Sequence, residues 1–329
     1  MRIGVFCSGG DAPGMNACVR AVVRSAVGAG HEVVGIYRGY QGLLEEDFFI
    51  AADSQPHMVL RSVSNLGKLG GTVLHSSRSK EFREEAGRKR AAAVLKKHGI
   101  DALIPIGGDG TFHGAVALAD HWDGKIVGCP GTIDNDLIGT DYTIGFSTAV
   151  QTAVEAVDKI RDTAESHERM FLIEVMGRHS GYIGAYTALA AGAEVVCVPE
   201  TATDIPRIVE HLHVLRKRGK SSVMVIVAEG DELGDAAKIK GELTAAGAPW
   251  AIRTVVLGHL QRGGTPTPED RILASRCGDF AVRSILDGAT GVMAGVIADQ
   301  NVLTPFQETY SRHREIPQHL LDLLAVLSK

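Results

Sequence analysis

A short apolar run passes directly into an acidic turn in the stretch Ile126-Val127-Gly128-Cys129-Pro130-Gly131-Thr132-Ile133-Asp134-Asn135-Asp136. The apolar residues before Pro130 are typical of a buried strand, and the Pro-Gly pair prevents the chain from continuing as a helix. Open α/β sheets place their ligands at the carboxyl ends of parallel strands. The stretch therefore predicts an α/β fold in which Asp134 and Asp136 lie at the ligand-binding edge of a parallel sheet.

The turn Gly107-Gly108-Asp109-Gly110-Thr111 ends the preceding apolar run, Ala102–Ile106, in the same way. Its glycines free the backbone to face phosphates, and Asp109 can hold Mg²⁺ directly or through water. An Asp-Gly turn that only caps the next helix is the alternative interpretation. Two such turns on neighbouring strand ends favour a metal–phosphate site beside a proton-accepting site, which a kinase of a small hydroxylated substrate needs.

Composition and length exclude several classes of protein. The chain has 329 residues, enough for two domains, and its hydrophobic content of 45% fits a soluble α/β enzyme. The net charge of −5 argues against general binding to nucleic acid. No apolar run approaches the roughly 18 residues of a membrane span. The five cysteines lack zinc-site spacing and the start lacks a secretory signal, so we expect a reduced, cytosolic protein.

Apolar runs alternate with helix-period segments almost from end to end, which predicts mostly parallel sheets covered by helices on both faces. The predicted strands are Ile3–Cys7, Val33–Tyr37, Ala102–Ile106, Ile126–Cys129, Phe171–Val175, Val195–Val198, Val223–Ala228, Thr254–Leu257 and Val292–Ile297. The predicted helices include Asn16–Ala29, Phe82–Lys97, Ala149–Arg161, Ile205–Arg218 and Arg271–Leu286. Because nine strands exceed one mononucleotide-binding half, we expect two Rossmann-like three-layer domains.

Thr132, Asp134 and Asp136 are the candidates for acid–base chemistry. In phosphoryl transfer a carboxylate accepts the proton of the attacking hydroxyl, while positioning and charge neutralisation do the rest. Asp134 is the better base, since Thr132 and Asp136 flank it and can orient a substrate. An Asx turn explains a single aspartate easily but explains the whole Thr-Ile-Asp-Asn-Asp run poorly.

Glycine-flanked turns after strands also supply candidate anion sites. The loop Ser8–Gly14 follows the first strand and opens a helix, although a tight structural turn explains it equally well. Arg178 in Met176-Gly177-Arg178 and Arg262 in His259-Leu260-Gln261-Arg262 each follow a strand in the same way. A lone arginine is usually a solvated surface residue, and that interpretation holds for Arg169 or Arg253 taken alone.

Taken together, these motifs resemble the ATP-dependent 6-phosphofructokinase family over nearly the whole chain. The matching segments are IGVFCSGGDAPGMNA, GGDGT, PGTIDND, GTDYTIGF, EVMGR, VLGHLQRGGTP and DRILASR. The resemblance implies an ATP-binding domain over residues 1–144 plus about 260–305 and a sugar-phosphate-binding domain over residues 145–259 plus about 306–329. It also implies Mg²⁺ as cofactor, a cytoplasmic enzyme, and a homotetramer or homodimer whose subunits share active sites.

The resemblance further assigns roles to individual residues. Asp134 is the expected base, and the catalytic set is Gly10, Thr132, Asp134 and Arg178. The expected ATP contacts are Gly10, Arg78, Ser79, Gly108, Asp109, Gly110 and Thr111, with Asp109 on the metal. The expected contacts of fructose 6-phosphate are Thr132, Asp134, Asp136, Arg169, Met176, Gly177, Arg178, Glu229, Arg253, His259 and Arg262. Arg169 and Arg253 would reach the 6-phosphate from a neighbouring subunit.

Two glycines favour ATP over pyrophosphate as the phosphoryl donor. Pyrophosphate-using members of the family typically carry Asp in place of Gly110 and Lys in place of Gly131. An Asp at the first position would repel the α-phosphate of a nucleotide, whereas Gly leaves room. An effector site is also implied, built from Arg20, Arg24, Arg161, Glu194 and Lys220. The basic run near Lys220 is reduced in this chain, so weaker binding of anions is expected there.

The leading hypothesis is therefore transfer of the ATP γ-phosphate to the 1-hydroxyl of fructose 6-phosphate in glycolysis. A pyrophosphate-dependent phosphofructokinase is one alternative, and a NAD or lipid kinase sharing the GGDGT turn is another. A sugar-phosphate or nucleotide sensor without catalysis would not need the base Asp134. A dinucleotide-binding dehydrogenase is disfavoured because the first glycine-rich turn lacks the GxGxxG spacing.

Overall fold

Strands and helices alternate along the chain in the computed structural model, which describes residues 1–312 and 314–328. The strands are β1 (Arg2–Cys7), β2 (Glu32–Gly35), β3 (Ala102–Gly107), β4 (Lys125–Thr132), β5 (Ile144–Gly145), β6 (Met170–Val175), β7 (Val195–Cys197), β8 (Val223–Ala228), β9 (Ile252–Val256), β10 (Val292–Ile297) and β11 (Gln300–Pro305). The α-helices are α1 (Met15–Gly28), α2 (Gly39–Glu45), α3 (Glu85–Lys97), α4 (Asp109–Ala119), α5 (Phe146–Ser166), α6 (Tyr182–Ala191), α7 (Ile205–Lys217), α8 (Ala236–Ala245), α9 (Pro268–Leu286), α10 (Phe306–Thr309) and α11 (Gln318–Leu327). Short 3₁₀ helices lie at Leu60–Val63, Leu66–Lys68, Glu81–Arg83 and Gly258–Arg262.

Two compact units are formed, and the chain passes between them several times. Unit 1 comprises Met1–Ile133, Leu137–Ser147 and Arg262–His313, and unit 2 comprises Asp134–Asp136, Thr148–Gln261 and Arg314–Lys329. The predicted assignment of one domain to ATP and the other to the sugar phosphate stays a prediction.

Unit 1 is built on a sheet with strand order β11-β10-β4-β3-β1-β2, in which β5 also pairs with β4. All pairs are parallel except β10 with β11. One apolar cluster joins residues of this sheet to residues of α2, α3, α4 and α10. The helices α1 and α9 pack against each other and against other parts of the sheet. The α/β sandwich predicted from the alternating pattern is confirmed.

Unit 2 is built on a fully parallel sheet with strand order β7-β8-β6-β9. Its main apolar cluster joins alternate residues of β6 and β8 to α7 and α8, and α6 also contacts β7 and β8. Local sequence fixes where these helices begin: the carboxylates of Asp204 and Asp235 accept hydrogen bonds from backbone N–H groups in the first turns of α7 and α8.

Several element boundaries differ from the prediction. The predicted helix Ala149–Arg161 is part of the longer α5, and the predicted helix Phe82–Lys97 is divided into a 3₁₀ turn and α3. The chain after Asn301, which carries little sequence signal, completes a β10–β11 hairpin and then forms α10 and α11. The pair Ala298 and Asp299 makes this tight turn with positive φ values of 47° and 61°, a conformation rarely anticipated at alanine.

All five cysteines are buried and free. Burial raises the pKa of the Cys7 thiol to about 12, so it stays protonated and unreactive at neutral pH. In the part of the chain that the structure describes, no helix is long and apolar enough to cross a membrane.

Candidate active site

In unit 1 the first glycine-rich loop lies between the end of β1 and the start of α1, and it is held by Arg262. The Nη1 atom of Arg262 donates a hydrogen bond of 2.9 Å to the Asp11 carbonyl. A Cβ atom on Gly10 would lie 2.5 Å from the same Nη1 atom, so only glycine lets the guanidinium approach this closely. The structure therefore brings predicted residues Gly10 and Arg262 together, within unit 1.

The loop that carries Arg78 and Ser79 meets the same glycine-rich loop. Ser76 Oγ donates a 2.7 Å hydrogen bond to the Gly9 carbonyl, and Gly9 N donates to the Ser77 carbonyl. Arg78 is exposed. Ser79 Oγ donates to Gln41 Oε1 at 2.7 Å and accepts a bond from a backbone N–H of the following 3₁₀ turn. The Arg78 side chain is thus available to an anion, whereas the Ser79 hydroxyl is engaged within the protein.

The second glycine-rich turn forms the start of α4. Asp109 and Gly110 occupy the exposed first turn of this helix, where free backbone N–H groups and the helix dipole favour an anion. Thr111 is buried at 3% exposure. Its hydroxyl donates to the Ser8 carbonyl at 3.2 Å and so joins the two glycine-rich turns. The Thr111 side chain therefore supports the loop from within.

The strands that carry the two acidic turns are direct neighbours, as the sequence predicted. The parallel β3–β4 ladder pairs Gly107 with Pro130. Thr132 ends β4, and its Cβ lies 3.6 Å from the place that a Cβ on Gly108 would occupy. The Thr132 carbonyl accepts a 2.7 Å hydrogen bond from Thr143 Oγ1. Thr132 and the GGDGT turn therefore share one edge of the unit 1 sheet.

This edge of the unit 1 sheet can hold Mg²⁺ only if water and phosphate oxygens of a substrate supply most of the ligands. Among residues 1–312 and 314–328, no group of three or more His, Cys, Asp or Glu side chains could hold a metal ion. The carboxylate of Asp109 is exposed at the end of α4. Mg²⁺ is commonly bound by one or two carboxylates, with the remaining positions filled by water and substrate phosphates. The single carboxylate of Asp109 matches that mode of binding.

In unit 2 the predicted sugar-site residues follow strands that run side by side. The parallel strands β6, β8 and β9 end at the same edge of their sheet. Met176-Gly177-Arg178 follows β6, Glu229 follows β8, and His259 lies in the 3₁₀ helix after β9. These five residues therefore come from neighbouring strand ends, as expected for a ligand site in an α/β sheet.

The turn at Gly177 and Arg178 has an uncommon backbone conformation. Gly177 has a φ of 144° and Arg178 has a φ of 52°, in the left-handed region. The Glu229 carboxylate accepts a 2.9 Å hydrogen bond from Arg178 N. A left-handed non-glycine residue costs of order 1–3 kcal/mol and persists only where its surroundings hold it. Glu229, predicted to line the sugar pocket, is one of the groups that hold it.

Asp134 is the most deeply buried of the predicted catalytic carboxylates, with 3% of its surface exposed. Its Oδ2 atom lies 3.7 Å from Arg178 Nε. Its backbone carbonyl accepts a 2.8 Å hydrogen bond from Ser180 Oγ. The Arg178 side chain itself is 40% exposed. A buried carboxylate beside a half-exposed guanidinium combines a proton acceptor with a group that can meet an anionic ligand.

Sequence reasoning missed the residues that support this carboxylate. Asn135 adopts a φ of 51° and is fully buried. Arg314 Nη1 donates to Asn135 Oδ1 at 3.1 Å, and the Arg314 guanidinium lies 5.0 Å from the centre of the Tyr182 ring. Ser180 lies only two residues after Arg178, a spacing that could have identified it. Arg314 lies in the C-terminal part, where no motif marks it.

Arg169 and Arg253 lie at the opposite end of the sheet from the candidate sugar site. Arg169 immediately precedes β6, and Arg253 on β9 pairs with Phe171 near the start of that strand. Arg178 follows the far end of β6. Six strand residues separate the two ends by about 20 Å. Within unit 2 of one chain, Arg169 and Arg253 are therefore not part of the site around Asp134 and Arg178.

The predicted effector residues are divided between the units. Arg20 and Arg24 lie one turn apart on α1 in unit 1. In unit 2 the buried Glu194 carboxylate lies 2.5 Å from Lys220 Nζ and 3.9 Å from Arg161 Nη1. An open cavity of about 400 Å³ adjoins Glu194 and Lys220. Unit 2 thus brings three of the five residues together, with Arg161 and Lys220 around the Glu194 carboxylate.

Mostly parallel α/β sheets whose carboxyl edges carry glycine-rich and acidic turns are the arrangement expected of a small-molecule phosphotransferase. The chain belongs to the phosphofructokinase family, since the family model described as "Phosphofructokinase" matches residues 2–285. A protein of Thermus thermophilus named ATP-dependent 6-phosphofructokinase 1 is 52% identical over 329 residues, covering 99% of each chain. One of Cytophaga hutchinsonii named ATP-dependent 6-phosphofructokinase is 46% identical, covering 99% of this chain and 98% of that protein.

Solved structures support the same fold. A phosphofructokinase chain from Saccharomyces cerevisiae superposes with a TM-score of 0.84 at 34% identity. That alignment covers 99% of this chain but only 46% of the yeast chain. A pyrophosphate-dependent phosphofructokinase of Nitrosospira multiformis has a TM-score of 0.85 at 22% identity, covering 100% of this chain and 92% of that one. At that identity the second likeness shows the fold alone.

Proposed function

We propose that the protein is an ATP-dependent 6-phosphofructokinase, which transfers the γ-phosphoryl group of ATP to the 1-hydroxyl of fructose 6-phosphate in glycolysis. The observation that carries the proposal is the buried Asp134 carboxylate, which lies 3.7 Å from Arg178 Nε and follows the end of β4 by two residues. The names of full-length relatives at 46–52% identity support it. A sensor that only binds its ligand has no use for a base at this position.

In this proposal unit 1 binds the donor and Asp134 activates the acceptor. The first turn of α4 and the exposed Arg78 bind the phosphates of ATP. Asp134 Oδ2 accepts the proton of the sugar hydroxyl as that oxygen attacks. Arg178, 40% exposed beside it, neutralises charge on the transferring group. Asp109 would hold Mg²⁺, which would supply positive charge to neutralise the phosphates of ATP.

The remaining sugar contacts divide between the units. Asp136, Glu229, His259 and the Met176–Gly177 turn, all in unit 2, are proposed to contact the sugar phosphate. Thr132 and Arg262 belong to unit 1. Because Arg262 Nη1 donates to the Asp11 carbonyl, its proposed contact with the 6-phosphate requires a second donor of the same guanidinium, which has five N–H groups.

The first test compares ATP with pyrophosphate as donor, measuring initial rates with fructose 6-phosphate and Mg²⁺. Turnover with ATP alone is the expected result. Turnover chiefly with pyrophosphate would favour the pyrophosphate-dependent alternative. No turnover with either donor would reject the proposed function and favour a binding protein.

A Gly110→Asp variant is expected to lose most of its ATP-dependent activity, with kcat/KM for ATP falling at least about tenfold because the new carboxylate repels the nucleotide phosphates. A Cβ built on Gly110 meets no atom within 4 Å beyond its chain neighbours and its own helix backbone, so we expect the variant to fold. Steady-state kinetics with varied ATP and a thermal melt check both points. An unchanged kcat/KM for ATP would show that Gly110 does not determine which phosphoryl donor the enzyme uses.

Gly131 is a poorer test of the donor, contrary to the simple sequence argument. A Cβ on Gly131 would lie 2.8 Å from Met15 Cε and 3.0 Å from Ile106 Cγ2. A larger residue here would therefore have to displace the ends of the Met15 and Ile106 side chains, an effect on packing that is separate from the choice of donor. A Gly131→Lys variant would disturb β4 and its neighbours as well as the site.

We also propose that active sites are shared between subunits of a homodimer or homotetramer. Arg169 and Arg253 lie about 20 Å along the strands from Arg178 in the same unit. If these two arginines bind the 6-phosphate, they must do so in a second copy of the chain. Closed symmetric assemblies place the same patch of both subunits in contact.

Mixing two inactive variants is expected to restore activity if sites are shared. Asp134→Asn subunits lack the base of their own site. Arg169→Ala/Arg253→Ala subunits lack the arginines that they would contribute to the site of the neighbouring subunit. After dissociation and reassembly of an equal mixture, half of the dimers contain one subunit of each variant. One of the two sites in such a hybrid has both Asp134 and the two arginines. The mixture should therefore show about a quarter of wild-type activity. Activity no higher than that of the parent variants would show that Arg169 and Arg253 are not lent to a neighbour.

The same proposal places the enzyme in the cytoplasm, which its free buried cysteines support. It also includes an effector site for a phosphorylated ligand around Arg161, Glu194 and Lys220 of unit 2; the part predicted for Arg20 and Arg24 of unit 1 stays a prediction. Because Lys220 and Arg161 already neutralise Glu194, we expect such a ligand to bind weakly.

A further inference from the structure

We propose that Gln261 is a positioning residue of the active site: it fixes the start of the Met176–Arg178 turn and thereby aims the Arg178 guanidinium. The inference rests on the proposed function, in which Arg178 acts on the transferring phosphoryl group. Gln261 is fully buried in the 3₁₀ helix after β9. Its Oε1 atom accepts a 2.8 Å hydrogen bond from Met176 N.

The hydrogen bond from Met176 N to Gln261 Oε1 extends the β6–β9 ladder by one position, where the backbone after β9 offers no acceptor. The β6–β9 ladder ends where Leu257 N donates to the Glu174 carbonyl at 3.0 Å. Beyond that point the chain after β9 turns into the 3₁₀ helix Gly258–Arg262. The next N–H group on the same side of β6 belongs to Met176, and the Gln261 side chain supplies its acceptor. Without it a buried N–H group would lose its partner.

The other side of the turn is held in the same manner by β8. Glu229 N donates to the Val175 carbonyl at 2.9 Å, and the Glu229 carboxylate accepts from Arg178 N. The turn is therefore held at both ends by hydrogen bonds. Gln261, after β9, accepts from Met176 N, and Glu229, after β8, accepts from Arg178 N. The turn contains two residues with positive φ, Gly177 at 144° and Arg178 at 52°.

Loss of either hydrogen bond should allow the Met176–Arg178 turn to relax toward an ordinary backbone conformation. Left-handed backbone at a non-glycine residue persists only where neighbouring groups over-determine it. A change of φ at Arg178 would swing its side chain away from Asp134 Oδ2, now 3.7 Å from Arg178 Nε. A misplacement of about 1 Å can cost about 100-fold in rate. Gln261 would thus affect turnover without touching a reacting atom.

The side chain offers a matched pair of variants. Gln261→Met keeps the length of the side chain but removes the acceptor of the Met176 N–H. Gln261→Glu keeps an acceptor oxygen at the same reach. Among the residues that the structure describes, Gln261 Nε2 has no hydrogen-bond partner. Exchanging that nitrogen for oxygen breaks no described bond, and burial favours the neutral, protonated acid, so we expect Gln261→Glu to retain most of the wild-type kcat.

The deciding experiment is a double-mutant cycle with Arg178→Ala, measured as kcat with ATP and fructose 6-phosphate at saturation. In the wild-type background Gln261→Met is expected to lower kcat about 10- to 100-fold, with KM for ATP unchanged. In the Arg178→Ala background it should cost less than about threefold, since the two residues act as a unit. Equal losses in both backgrounds would overturn the proposal.

A second readout needs no activity. The Met176 amide of the full-length wild-type protein should exchange its hydrogen slowly, and that protection should fall at least about tenfold in Gln261→Met and return in Gln261→Glu. Unchanged protection would overturn the positioning role even if turnover changes. Absence of turnover in the wild-type enzyme would instead reject the proposed function, and the amide measurement would still test the grip of Gln261 on the turn.

Discussion

Replacing Asp134 with asparagine is expected to lower kcat by about 10²- to 10⁴-fold, the usual contribution of a general base, while KM for fructose 6-phosphate changes little. Asparagine has nearly the same shape but cannot accept the hydroxyl proton. The backbone of residue 134 keeps its hydrogen bond from Ser180 Oγ, so the loop should stay in place. Steady-state rates at saturating ATP with varied sugar phosphate measure both quantities.

Two further variants separate chemistry from charge. Asp136→Asn alters the neighbouring carboxylate, which is proposed to orient the sugar, so its main effect should be on KM. Asp120→Asn lies at the exposed end of α4, away from both acidic turns, and should leave kcat and KM unchanged. An Asp134→Asn enzyme that keeps wild-type kcat would show that Asp134 is not the base.

Replacing Gly230 with alanine is expected to lower kcat about 100-fold or more, although residue 230 touches no proposed substrate. A Cβ at this position would lie 1.6 Å from the Arg178 carbonyl oxygen and 2.7 Å from the Arg178 carbonyl carbon. Both obstacles are backbone atoms, which cannot rotate away as a side chain does. The turn must therefore move by more than an ångström, and Arg178 must move with it.

Gly241→Ala is the matched control for this variant. Gly241 lies inside α8 in the same unit, and no atom lies within 4 Å of a Cβ built on it. Alanine is favoured over glycine in a helix interior by about 1 kcal/mol, so this variant should unfold at the same or a slightly higher temperature with unchanged kinetics. Wild-type kcat in a folded Gly230→Ala enzyme would contradict the role given to the turn.

Much of the fold follows from local patterns in the sequence. The strands β8 and β10 begin and end at the predicted residues, because continuous apolar runs bounded by turn residues have few alternatives to a buried strand. The hairpin strand β11 was not predicted, since Gln300–Pro305 alternates between exposed and half-buried residues and has no apolar run. Its position depends on pairing with β10, which is a property of the folded sheet.

The candidate site divides in the same way between local and distant information. The turn residues Asp109, Asp134 and Arg178 are recognisable because each follows a strand and is flanked by glycine or by other polar turn residues. Ser180, Gln261 and Arg314 were given no role by the sequence, although Gln261 lies within the His259–Arg262 motif and Ser180 lies two residues after Arg178. Each hydrogen-bonds to the backbone or side chain of a residue distant in sequence, and such bonds leave no periodic pattern in the chain.

The amino-acid sequence by itself determined the class of fold, the phosphofructokinase family and the turns that carry chemistry, because hydrophobic periodicity and turn residues act over a few positions. Only the tertiary structure decided how those turns are held. It placed Arg262 against Gly10 and the Asp11 carbonyl, gripped the Arg178 turn between Gln261 and Glu229, and put Arg169 and Arg253 at the far end of their strands. The physical reason is that strand order and register bring distant residues together, and neither is encoded in any short segment.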